Sequence, residues 1–108
     1  MSLRKIADEF ALKVVSGQFA EAQKMLGGEA KEAWTSEAIQ EAYSEMVEYF
    51  DGAEAKVEEG WSDEFAETKL DEGTLLYVPI VSAEGDSEAI SVVIDDSGAI
   101  VDIEFGRP

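Results

Sequence analysis

The chain has 108 residues, with 25 acidic against 8 basic side chains for a net charge of −17, and it contains neither cysteine nor histidine. That length suits one domain spanning residues 1–108 rather than two, and the missing residue types exclude disulfides, thiolate zinc sites, thiol nucleophiles and histidine-based acid–base catalysis. The sequence has no basic stripe of the kind that nucleic acid or an anionic bilayer requires, and no apolar run near the ~20 residues of a membrane-spanning helix.

Leu3, Ile6, Ala7, Phe10, Ala11 and Val14 recur at the helical period and predict an amphipathic helix ended by Ser16-Gly17. A second short helix carries Phe19, Ala22, Met25 and Leu26 on one face and stops at Gly27-Gly28. Residues 29–34 add one further turn that presents Trp34. Thr35 is a good N-cap for a third main helix, whose stripe is Ile39, Ala42, Tyr43, Met46, Val47 and Phe50 and whose terminator is Asp51-Gly52.

The apolar period then changes from about 3.6 to 2. Ala53, Ala55 and Val57 alternate with Glu54, Lys56 and Glu58, as in a half-exposed strand. Residues 60–73 read as a loop, a short helix opened by Ser62, or a strand around Phe65–Leu70. Thr74 to Ser82 is a strand apolar on both sides: Leu76, Val78 and Ile80 point one way, Leu75, Tyr77 and Val81 the other. Glu84-Gly85-Asp86 is a turn, and Glu88 to Asp95 is the next strand, with Ile90, Val92 and Ile94 alternating. Asp96-Ser97-Gly98 makes a hairpin turn. In the last strand Ala99, Val101, Ile103 and Phe105 are expected to face inward, with Asp102 and Glu104 outward. Helices over about 3–50 followed by an antiparallel meander over about 53–105 predict an α+β fold, with the helices packed on one sheet face.

The acids are not evenly distributed. Glu37, Glu41 and Glu45 recur every four residues on the third helix, Glu48 follows, and no Lys or Arg lies between residues 37 and 50. Each like-charge pair at this spacing costs roughly 0.2–0.5 kcal/mol, so the ridge is expected to face solvent and stability to rise with salt. The acidity as a whole reads as a solvated surface, as adaptation to a salty cytoplasm, or as complementarity to a cationic partner.

Several segments, taken in order, resemble nuclear transport factor 2-like domains. They are Ser16-Gly17-Gln18-Phe19-Ala20-Glu21-Ala22, the helix opened by Thr35-Ser36-Glu37 and closed by Phe50-Asp51-Gly52, Tyr77-Val78-Pro79-Ile80 in a long strand, and Val93-Ile94-Asp95-Asp96-Ser97-Gly98-Ala99-Ile100. The resemblance covers roughly residues 3–105 and is nearest to the small uncharacterised domains of that superfamily. It implies a cone-shaped, cystatin-like α+β fold, in which a curved antiparallel sheet wraps the helices and leaves an apolar pocket at the open end. It also implies dimers through the outer sheet face, and functions that range from isomerases, cyclases and dehydratases to plain ligand or partner binding.

The chemistry of the residues favours the last of these. Relatives similar to ketosteroid isomerase need a carboxylate base and an oxyanion donor in a dry pocket. Tyr43 is the one candidate donor on a core stripe, and no carboxylate joins it: Asp95 and Asp96 shape a turn, Asp102 and Glu104 alternate outward, and Asp8 and Glu9 fall on the polar side of the first helix. No catalytic residue, metal ligand or cofactor site is therefore assigned, and Asp95-Asp96-Ser97-Gly98 lacks calcium-loop spacing. Phe19, Trp34, Tyr43, Phe50 and Trp61 are the candidates to line a pocket for a small apolar ligand. Leu75, Tyr77, Val81, Val93 and Ile100 would form an apolar outer face suited to a homodimer. The leading expectation is a non-enzymatic binding or interaction module, cytoplasmic for want of an export signal. The alternatives are a small isomerase or lyase with Tyr43 near its pocket, and an acidic docking domain that uses the third-helix ridge.

Overall fold

The computed structural model describes residues 3–50, 55–57, 67–71, 73–83, 85 and 87–105. Its helices are α1 (Leu3–Val15), α2 (Phe19–Gln23), α3 (Gly28–Ala33) and α4 (Ser36–Val47), the last running into a 3-10 turn at Glu48–Phe50. Its strands are β1 (Ala55–Val57), β2 (Glu67–Lys69), β3 (Thr74–Ser82), β4 (Ser87–Ile94) and β5 (Ile100–Phe105). The expectations at Asp51-Gly52, Ala53, Glu54 and Glu58, at residues 60–66 including Trp61, and at Glu84 and Asp86 lie outside the described residues.

α1 and α4 form where their apolar stripes predict, whereas α2 ends at Gln23, short of Met25 and Leu26, and Gly28, expected to stop it, opens α3. Ile6, Ala7, Phe10, Ala11 and Val14 of α1 are buried, and α1 packs against β1, β3 and β4. Burying side chains such as Phe10 and Val14 stabilises by about 1.5–3 kcal/mol each, which is what holds so short a helix. Asp8 departs from its expected solvent position and is 8% exposed. Arg4, one turn earlier, approaches its Oδ1 at 3.2 Å, and the neutralised pair can be covered where a lone carboxylate would not be. At α4 the Thr35 hydroxyl oxygen accepts from the Ala38 N–H at 3.1 Å, satisfying one of the helix's unpaired donors.

The sheet is antiparallel throughout, in the order β1-β3-β4-β5, with β2 also pairing β3 beyond β1 on the same edge. Residues 67–69 thus resolve part of the ambiguous segment as strand. On the face toward the helices, Leu76, Val92 and Ile103 form one row and Val78, Ile90 and Phe105 the next. These residues join Phe10, Ile39, Met46 and Phe50 in one core, with Phe105 partly buried at its margin. Leu75, Val93 and Asp102 share a row on the opposite face, as do Tyr77, Ser91 and Glu104. The fold is therefore α+β, with N-terminal helices on one face of an antiparallel sheet.

The last strand corrects the sequence reading. The pairing shifts register between Val93 and Ile94, so that Val93 opposes Asp102 while Ile94 opposes Ile100. One extra residue, Val101, is taken up on β5. Such a bulge reverses the alternation on its N-terminal side. Ile100 is consequently fully buried among the helix-facing core residues and does not belong to the outer face, while Val101, expected inward, is only half-buried. Backbone bonds fix this position: Gly27 N–H donates to Ile100 O at 2.8 Å, and Ile100 N–H donates to Met25 O at 3.3 Å.

Candidate functional site

The aromatic residues singled out from the sequence go to different places. Phe50 is 1% exposed and fills the core rather than lining a space. Phe19 and Tyr43 meet where α2 packs on α4, with ring centroids 6.3 Å apart, and partial burial raises the Tyr43 pKa above the ordinary tyrosine value. Trp34, which caps the C-terminus of α3, packs on Phe105 of β5 with centroids 5.7 Å apart and an interplanar angle of 52°. Trp61 lies outside the described residues.

Trp34 and Phe105 belong to a groove of about 450 Å³ between α4 and β5. Ala42, Glu45 and Met46 supply the helical wall, Ile103, Glu104 and Phe105 the strand wall, and Trp34 and Glu88 complete the lining. The size is that of a small-molecule site. Tyr43 is not among these lining residues, so the structure does not bring the candidate oxyanion donor to the groove. Trp34 also borders a second cleft of about 360 Å³, lined by Glu29, Ala30, Ala33, Val101 and Asp102.

The groove contains a residue that the sequence reading missed. Glu88 pairs in register with Ile80, which is fully buried on the helix-facing side, so Glu88 sits on that same face where β4 begins. The signal was present, because Glu88 continues the alternation of Ile90, Val92 and Ile94. Glu45 approaches from the opposite wall as the C-terminal member of the acidic ridge, whose residues Glu37, Glu41, Glu45 and Glu48 are all exposed. Neither Glu45 nor Glu88 has an ion-pair partner among the described residues. Glu104 lines the groove from the edge strand, while its pairing with Ser91 places it on the outer side of the sheet.

On the outer face Leu75, Tyr77 and Val81 are half-buried and Val93 is 5% exposed. At the β4–β5 turn, the Asp95 Oδ1 accepts from Ser97 N–H at 2.9 Å, from the Ser97 hydroxyl at 2.6 Å and from Ala99 N–H at 3.0 Å. These bonds hold the Asp95 pKa below the ordinary aspartate value, the Ser97 hydroxyl contributing most. Gly98 completes the turn at φ +89°, a conformation that costs glycine little. The carboxylate is thus committed to the loop. Among the described residues, no group of three or more acids is placed to hold a metal ion, and no helix is long and apolar enough to cross a membrane. Comparisons with protein-family models, with curated proteins and with solved structures find no match to this chain.

Proposed function

We propose that this chain is a non-enzymatic binding module of the nuclear transport factor 2-like type, which holds a small, largely apolar ligand between α4 and β5. The observation that carries the reading is the groove of about 450 Å³ walled by Trp34, Ala42, Met46, Ile103 and Phe105. The family assignment draws support from the order of elements, helices followed by an antiparallel meander, and from the sequence likeness. Replacing Trp61 by Phe leaves Trp34 as the sole tryptophan. Its emission should then shift on titration with small aromatic ligands. Ala42→Phe, which fills the groove without adding a tryptophan, should abolish the shift without unfolding the protein. If the emission responds equally in the filled variant, the groove is not the site.

Self-association through the outer sheet face belongs to the same proposal. Leu75, Tyr77 and Val81 present apolar surface there, while Asp102 and Glu104 lie toward the β5 edge, where like charges from two copies can stay at the rim of a contact. Sedimentation at high concentration in moderate salt should give a dimer, and Tyr77→Glu a monomer. A monomeric parent protein would refute the pairing.

A further inference from the structure

We infer, resting on the groove reading above, that the ligand is a small organic cation: an aromatic or alkyl body with one ammonium head, the body on Trp34 and Phe105 and the head between Glu45 and Glu88. Three observations carry this. An indole packed on a second ring lines the groove, and such a pair offers broad apolar and aromatic surface to the body of a ligand. Two carboxylates stand on opposite walls, Glu45 on α4 and Glu88 on the helix-facing side of β4, Glu104 on the outer side of β5 is a third, and no Lys or Arg lines the groove among the described residues. The groove is also short. Its helical wall, Ala42 to Met46, spans roughly 6 Å of helix axis, and its strand wall, Ile103 to Phe105, roughly 7 Å. That room fits one amine of this kind rather than an extended basic peptide.

Local recognition must be separated from the attraction that any cation feels toward a chain of charge −17. The ridge supplies the control, since Glu37 and Glu41 lie on the same helix and are not among the groove's lining residues. Trp34 emission in the Trp61→Phe background would be titrated with phenethylammonium, with its neutral counterpart 2-phenylethanol, with tetramethylammonium and with a hexalysine peptide, at constant ionic strength. The ammonium should bind at least about tenfold more tightly than the alcohol, which is about 1.4 kcal/mol. Glu88→Gln and Glu45→Gln should each erase most of that preference, while the Glu37→Gln/Glu41→Gln double variant keeps it.

The inference is overturned if the alcohol binds as tightly as the amine, an outcome that leaves the apolar-groove reading standing. It is overturned equally if the ridge variant loses the preference as fully as Glu88→Gln does, because the attraction would then be the general field. Tighter binding of hexalysine than of phenethylammonium would move the site to a basic protein partner and refute the small ligand. If no probe perturbs Trp34, both readings fall.

Discussion

Replacing Glu41 by lysine measures what the acidic ridge costs. Glu41 stands four residues from Glu37 and four from Glu45, all three are exposed, and α4 carries no base in its last turn. Two repulsive pairs therefore meet at one residue, each worth roughly 0.2–0.5 kcal/mol. Glu41→Gln removes both and should stabilise by about 0.4–1 kcal/mol. Glu41→Lys also creates two attractive pairs, for about 0.8–2 kcal/mol in all. The pair with Glu37 should give more than the pair with Glu45, because an acid preceding a base suits the helix dipole better than the reverse. Urea titrations of the three proteins at about 0.01 M and about 1 M salt give the test. The screening length falls from about 30 Å to about 3 Å over that range, so most of the gain should vanish at high salt. A gain of equal size in both salts, or a lysine variant no more stable than the glutamine one, would refute the electrostatic account.

Ile100→Ala should destabilise by about 2–5 kcal/mol in thermal or urea unfolding, whereas Val101→Ala should cost less than about 1 kcal/mol; the reverse order would mean that the bulge on β5 is misplaced. Thr35→Ala should cost about 1 kcal/mol through loss of the α4 cap, with Thr35→Ser restoring most of it in the same assay. Asp95 gives a pH dependence. Its folded pKa lies below the unfolded value, so its contribution is fully present above the ordinary aspartate range and is lost as pH falls through the lower, folded value. The stability difference between the parent and Asp95→Asn should accordingly be constant near neutrality and shrink on acidification; a difference that grows toward low pH would contradict the Ser97 and Ala99 bonds.

The periodic signals were strong where one face of an element meets one uniform environment. The α1 stripe, the α4 stripe with its Thr35 cap, and the alternation of Leu76, Val78 and Ile80 are each set locally, and the structure follows them. Ile100 failed because its face depends on a register shift between β4 and β5, which no spacing within residues 99–105 records. Asp8 failed because its burial depends on Arg4, a pairing that composition of the helix face leaves open. The groove is the least local feature of all. Trp34 and Phe105 lie far apart in sequence and meet only through the packing of α3 on β5. Glu88 is the opposite case, since period-two counting from Ile90 already assigns its side.

The backbone bonds between the α2–α3 connection and Ile100 bear on solubility. Among the described residues β5 is an outermost strand, and an open strand border offers unpaired amides and carbonyls as a template for cross-β stacking by other chains. Here the segment Met25–Gly27 docks on the first residue of that border and occupies it, and a charged Asp102 and Glu104 follow farther along. The docking needs a glycine, because a methyl group on Gly27 would come within 2.8 Å of the Ala99 Cβ. A residue with no side chain, sitting between two short helices, thus lets the chain cover the start of a strand border that lies far along the sequence.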